Sequence, residues 1–251
     1  DAEISLEGPF IPQPCGWLLK GLFGSVSTTG TDPYTHAFSA PDSNTLDTYT
    51  VTVDYGLGGT NTEEYNYCRV SSLTLNYEPA SYLTYSATLV GRRNSSLITS
   101  PSLTESADRP LKGAETTLTV GGSGNTLYES FSATFQRGGI SPVHTLGSGF
   151  DVSVSPIDGT FQGTAIFDDY AEYNRAVNHS ESTIVVLADN SSDNRSLSIT
   201  MTAPDWTAAE KQPGGISDIQ RVSISNGRMK YSSTDSGLAQ VSLENGVSTY
   251  A

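Results

Sequence analysis

The sequence has little with which to do chemistry. It holds three histidines, two cysteines and two tryptophans in 251 residues. His36, His144 and His179 lie far apart, and no H-x-x-x-H, H-E-x-x-H or C-x-x-C spacing offers a framework for zinc. No G-x-S-x-G elbow singles out a nucleophile among the many serines. Cys15 and Cys68 allow one disulfide but no disulfide scaffold, and two free, partly buried thiols are the expectation. Charge is also sparse and one-sided: 13 Lys and Arg against 27 Asp and Glu give a net charge of −14. Static nucleic-acid binding runs on cations that neutralise phosphates, so that class is disfavoured, as is adhesion to anionic membranes. The longest apolar run, Ile184–Ala188, is far below the roughly 20 residues that a membrane-spanning helix needs. No charged-then-apolar leader opens the chain at Asp1.

Several short patterns have simpler explanations than a site. Asp168 and Asp169 form an adjacent carboxylate pair of the kind glycosidase chemistry uses, yet ahead of a helix they read as capping residues at its positive end. Asp189-Asn-Ser-Ser-Asp-Asn194 could clasp calcium, but it lacks the Gly and the distal Glu of an EF-hand loop and reads as a hairpin turn. Gly121-Gly122-Ser123-Gly124 is followed by no Lys-Ser/Thr pair and is not a phosphate loop. Asn94, Asn178, Asn190 and Asn194 sit in N-x-S triplets that an Asn- and Ser-rich chain produces by chance. Trp17 and Trp206 lie in different halves and read as packing anchors rather than a sugar platform. The expectation is a protein with no catalytic residues, no cofactor and no metal.

What is present suits sheets. Ser, Thr and Tyr are abundant and 24 glycines supply turns, while helix formers are scarce. Strands are expected at Glu3–Ile11, Tyr34–Ser39, Tyr49–Tyr55, Tyr65–Val70, Leu73–Tyr77 and Tyr82–Val90. Residues 48–70 read as a long hairpin with a Gly-rich tip, Gly56-Leu57-Gly58-Gly59-Thr60-Asn61-Thr62. Residues 92–112 lack a period and carry two prolines, so they read as a linker or surface connection. A second series follows, with strands at Glu115–Val120, Leu127–Gln136, Phe150–Ser155, Thr160–Phe167, Thr183–Ala188, Leu197–Ala203, Ile219–Ser225, Met229–Ser232 and Ala239–Leu243. Short helices are expected at Gly16–Phe23, stopped by Gly24, and at about Tyr170–Val177.

One unit occurs twice. With a shift of 155 positions, Gly8 falls on Gly163, Ile11 on Ile166, Lys20 on Arg175 and Ser25 on Ser180, and both stretches run from strand to short helix. The expected architecture is therefore mainly β, with two similar sandwich- or barrel-type units, each carrying one short helix. The first covers residues 1–110 and the second 111–251, the latter with a C-terminal extension. The second has strands ahead of its strand–helix unit, at 127–155, and the first has none; on that reading a few tens of residues precede Asp1.

Glu3–Ser25, a strand followed by an apolar helix ending in Gly-Ser, resembles the opening unit of major tail tube proteins of long-tailed, siphovirus-type bacteriophages. Tyr34–Phe38, Thr48–Tyr55, the Cys68-Arg69-Val70-Ser71-Ser72-Leu73 stretch and Leu83–Gly91 resemble the segments that follow in that family. Gly159–Val177 and Leu197–Trp206 resemble the matching elements downstream. The resemblance implies a structural virion protein, assembled in the bacterial cytoplasm, that forms rings with a β-barrel lumen stacked into a tube. Its partners would be itself, other tail proteins and duplex DNA in transit, with no membrane. Two units per chain imply three chains per ring rather than six. An acidic wall would repel DNA, and the Gly56–Thr62 tip is the candidate for ring stacking. Two rival readings carry their own expectations. A secreted adhesin or carbohydrate-binding sandwich would be a stable monomer with Cys15 and Cys68 oxidised. A β-rich hydrolase would need a constellation that the sequence does not show.

Overall fold

The computed structural model describes the chain except residues 1, 41–45, 58, 95, 103–104, 125–126, 141, 146–148, 153–154, 168–169, 180, 207, 213–218, 236 and 251. In the first half the strands are β1 (Ala2–Pro9), β2 (Ser25–Gly30), β3 (Tyr34–Ser39), β4 (Tyr49–Val53), β5 (Glu63–Tyr77) and β6 (Thr84–Arg93). Next come β7 (Thr116–Val120), β8 (Ser123–Gly124), β9 (Tyr128–Gln136), β10 (Pro142–Thr145), β11 (Gly149–Val152) and β12 (Asp158–Ile166). The last are β13 (Ile184–Asn190), β14 (Arg195–Met201), β15 (Pro204–Asp205), β16 (Ala208–Gln212), β17 (Arg221–Met229) and β18 (Gln240–Asn245). Two helices interrupt them, α1 (Pro12–Phe23) and α2 (Ala171–Val177).

The strands form two antiparallel sheets packed as a sandwich, plus the small β10–β11 ribbon. The large sheet runs β1-β6-β5-β9-β12-β17, with β15 and β16 both on the far side of β17 and β4 beside β5. The smaller sheet runs β2-β3-β18-β14-β13-β7-β8. Period-two alternation builds the core between them. Leu73, Leu75, Phe131, Ala133, Phe135 and Phe161 face inward from the large sheet, against Ile184, Val186, Leu197, Ile199, Val241 and Leu243 from the other. Phe131 and Phe161 stack at 6.1 Å, and Trp206 meets Phe161 edge-on at 5.1 Å.

The two halves of the sequence share both sheets. β5 pairs with β9 over Ser72–Tyr77, and β18 from the end of the chain pairs with β3 from its beginning. Within the large sheet the order β1-β6-β5 returns as β12-β17-β16, and in each case the strand–helix unit leads and a later hairpin pairs against it. The smaller sheet runs in opposite senses in the two halves, β2-β3 against β14-β13, so the repeated order belongs to the large sheet.

The differences from the sequence reading have local causes. Helix α1 starts at Pro12, because proline in a first helical turn gives up only an N–H that has no helical partner there. Tyr65–Val70 and Leu73–Tyr77 belong to one 15-residue strand, β5, whose bulges around Asn66–Arg69 and Val70–Ser72 break the alternation. Residues 92–112 are more than a surface link. Leu111 is fully buried, donating from its N–H to the Phe10 carbonyl and accepting from the Leu83 N–H. Met229 ends β17 rather than beginning a strand. β2 and β16 went unforeseen, since edge strands without alternating apolar residues carry no strand pattern.

Candidate assembly surface

The broadest feature of the molecule is the face of the large sheet turned away from the core. Four rows of side chains cross it in register. One runs Glu7, Ser86, Thr74, Thr134, Thr160, Arg228, and the next Ser5, Thr88, Ser72, Gln136, Asp158. Pro9, Thr84, Asn76, Ser132 and Gln162 form a third, and Ser130, Thr164, Ser223 and Glu210 a fourth. Hydroxyls and amides fill the middle of every row, and the charges stand at the margins. Cross-strand neighbours on such a face can bond each other, as the Thr74 and Thr134 hydroxyls do at 3.0 Å. The result is a hydrogen-bonding carpet, uncharged along the middle of these rows, with an apolar core behind it.

The same sheet has open ends. Among the described residues β1 pairs only with β6, and β15 and β16 only with β17. A sheet edge exposes a row of unused N–H and C=O groups, and eight residues of β1 make a long one. All pairings in the sheet are antiparallel, so β1 and β16, six steps apart, point the same way.

Behind this face helix α1 lies between the sheets, with Cys15, Leu19, Leu22 and Phe23 buried. Its C-terminus is held by Arg137, only 5% exposed. The Arg137 Nε donates to the Leu22 carbonyl at 2.7 Å, and Nη2 donates to that of Phe23 at 3.3 Å. Nη1 donates to the Ser155 carbonyl at 2.7 Å. Carbonyls at a helix C-terminus carry partial negative charge, which compensates the buried guanidinium. Burial nevertheless lowers its pKa. Gly24 closes the helix at φ 93°, a left-handed conformation that glycine adopts without a Cβ clash.

Open sheet edges are places where a sheet can be extended by a neighbour, and comparison with known sequences bears on them. Residues 1–229 match the family model described as phage tail tube protein. The chain belongs to that family. Membership makes it a structural tail tube protein of the virion tail, one that oligomerises with itself and contacts other tail proteins. No curated protein matches the sequence. No helix among the described residues is long and apolar enough to cross a membrane.

The residues singled out from the tail tube sequence are placed as follows. Gly56–Thr62 does connect β4 to β5, and Gly58 lies outside the described residues. Gly56 and Gly59 take φ of 71° and 66°, and the Gly56 N–H bonds Asp54 Oδ1 at 2.9 Å. Leu57 is 73% exposed, whereas Thr62, 1% exposed, is tied to Ile98 at the base of the turn. Asp189–Asn194 forms the β13–β14 turn, with Asn190 Nδ2 donating to Asp193 Oδ2 at 2.6 Å and Arg109 paired to the same carboxylate. Asp168 and Asp169 lie outside the described residues. Cys15 and Cys68 are both buried and free, their thiols pushed by burial to pKa values of about 12 and about 11. Trp206 is core, and Trp17 packs edge-on against Tyr250 at 5.1 Å.

His36 and His179 differ sharply. His179 is exposed and meets Asp205 at 3.3 Å. His36 is fully buried, with Nε2 3.1 Å from Asn245 Oδ1 and Nδ1 2.9 Å from the Thr28 hydroxyl. Oδ1 also accepts the Val247 N–H, so Nε2 carries the proton toward it and Nδ1 accepts from Thr28. Asn245 Nδ2 in turn donates to the Pro12 carbonyl at 3.2 Å. The buried Tyr250 hydroxyl donates to the Gln13 carbonyl at 2.8 Å. The end of the chain is thus fastened over the start of α1. Sequence reading missed Arg137, Asn245 and Tyr250, since each acts on residues more than a hundred positions away.

Proposed function

We propose that copies of this chain close into a ring through the edges of the large sheet, hydroxyl face toward a central channel, and that stacked rings conduct duplex DNA from capsid to host. The observation that carries this reading is the carpet itself, a broad face on whose strands β6, β5, β9 and β12 the four rows place no Lys or Arg. Duplex DNA carries about one charge per 1.7 Å of axis and adheres where cations replace its counterions. A neutral hydroxyl surface gives phosphates nothing to exchange for. The chain's −14 charge adds a weak repulsion, screened within about 8 Å at physiological salt.

The repeated order β1-β6-β5 and β12-β17-β16 supports a ring of three chains, each supplying two similar stretches of wall. In this picture the units 1–110 and 111–251 act as successive wall segments that share one sandwich. Because β1 and β16 point the same way, direct joining of copies around a ring axis makes a parallel pair. A strand placed between them, as β9 lies between β5 and β12, keeps the sheet antiparallel throughout. The Gly56–Asn61 tip, with Leu57 at its end, is proposed to contact the next ring.

Electron microscopy of the native material, paired with mass per ring, tests the reading. Stacked rings of three chains around an open channel support it. Six chains per ring sink the repeat, and a monomer dispersed at every concentration sinks the assembly.

A further inference from the structure

β16 is a weak element in a demanding place. It has five residues, pairs only with β17 among the described residues, and forms one margin of the proposed wall. Its counterpart in the repeated order, β5, needs no help, being 15 residues long and covered on its outer edge by β4 and β9. A short strand with one neighbour frays readily.

One side chain answers this. Lys211 lies opposite the buried Val222 and so leaves β16 on the core side, where α2 sits. Its Nζ stands 3.9 Å from the centroid of Tyr170, 4.3 Å from Tyr173 and 5.3 Å from Phe167. The rings are set edge to face: Phe167 and Tyr170 at 5.2 Å and 82°, Tyr170 and Tyr173 at 6.2 Å and 83°. Three aromatic groups thus surround one ammonium, an arrangement that binds cations through the ring quadrupoles. Tyr170 stays 55% exposed in it, so the group is no ordinary piece of core.

We propose that Lys211 is a latch: its ammonium, held by Phe167, Tyr170 and Tyr173, fixes β16 against α2 so that the free backbone edge of β16 is presented, already ordered, to a second copy of this chain. The inference rests on the ring reading. Lys211 is a positioning residue, since the joint itself is made by backbone groups. Ordering the edge before contact lowers the entropic cost of association and leaves the fold of the separate chain nearly untouched.

The test compares wild type with Lys211→Met, Lys211→Arg and Tyr170→Leu, measuring the Tm of the monomer and the threshold concentration for tube formation by sedimentation. Lys211→Met, which keeps the aliphatic stem, is expected to raise the threshold by about 2- to 30-fold, the range of a cation–π contact. Tyr170→Leu is expected to follow it, and Lys211→Arg to restore assembly. Monomer Tm is expected to move by no more than about 2 °C. Tubes that form from Lys211→Met at the wild-type threshold overturn the latch. So does a joint loss of Tm and assembly that Lys211→Arg does not repair. A wild-type chain that never assembles is a separate result and removes the ring reading itself.

Discussion

The two strand–helix units, β1–α1 and β12–α2, share a strand-then-helix order and end in opposite circumstances. Helix α1 is 12 residues long, packed between the sheets, capped by Arg137 at its C-terminal end and tied to Tyr250 and Asn245 through the Gln13 and Pro12 carbonyls at its start. Helix α2 is 7 residues long and lies against β16 and β17 near the sheet's margin. Their strands differ in the opposite direction. β12 is enclosed by β9 and β17, while β1 keeps one edge open. Each unit is therefore anchored through one element and available through the other. Burial is concentrated in α1 and β12, and unpaired strand edge, among the described residues, in β1 and in the margin beside α2.

Substitutions at matched positions break this comparison open. Leu19 of α1 is fully buried, and the 155-position shift places it on exposed Asn174 of α2. Leu19→Ala is expected to cost about 2–5 kcal/mol, the range for emptying a packed leucine site. Asn174→Ala is expected to stay within about 0.5 kcal/mol, as surface changes do. Chemical denaturation of the monomer measures both, and equal effects would dissolve the asymmetry.

Gly16 and Ala171 form the next matched pair. A Cβ on Gly16 would run into the Tyr250 ring, so Gly16→Val must push the ring out of its site. Overpacking of this kind costs about 1–3 kcal/mol. Ala171 is exposed, and Ala171→Val is expected to register only the small loss of helix propensity, below about 1 kcal/mol. Restoration of Gly16→Val by Tyr250→Ala, in a double-mutant cycle, would show that the clash is the cause.

Arg137→Met tests the other end of α1. It leaves the Leu22, Phe23 and Ser155 carbonyls without their donor, and buried groups so orphaned cost about 1–3 kcal/mol in total where water reaches some of them. Arg137→Lys is expected to recover only part, because one ammonium cannot reproduce the guanidinium fork. A denaturation midpoint for Arg137→Lys equal to wild type would show that charge alone suffices.

How much of this was legible follows from the range of the interactions. Period-two alternation in Leu73–Tyr77 and Leu197–Met201 is a local signal, and it located β14 within two residues and the C-terminal end of β5, though not the start of β5 at Glu63. Gly24 announced the end of α1 for an equally local reason. The wall face was not legible, because its rows join residues such as Thr74 and Thr134 whose adjacency depends on β5 pairing with β9. The same holds for Arg137 over Leu22, and for Tyr250 over Gly16. Residues 230–251 lie beyond the family match, yet the alternation at Ala239–Leu243 marked β18, which joins the smaller sheet's two halves by lying between β3 and β14.

The smallest effect concerns pH, and it also separates the two units. His36 sits at the fastening of α1, and burial lowers its pKa from the ordinary 6.5. A depressed folded-state pKa means that the unfolded chain binds the proton first. The stability is therefore present in full above about pH 6.5 and is lost as pH falls from there toward the folded-state pKa. One such group gives a slope of at most about 1.4 kcal/mol per pH unit. Carboxylates that lose their charge contribute at lower pH, so the window just below 6.5 belongs chiefly to histidine. His36→Gln is expected to flatten the Tm-against-pH curve in that window at some cost in Tm throughout. His179→Gln, at an exposed residue beyond α2, is the surface comparison for the same measurement. A wild-type curve already flat between pH 5.5 and 6.5 would mean that His36 accepts its proton within the fold, Thr28 turning its hydroxyl to receive the new N–H.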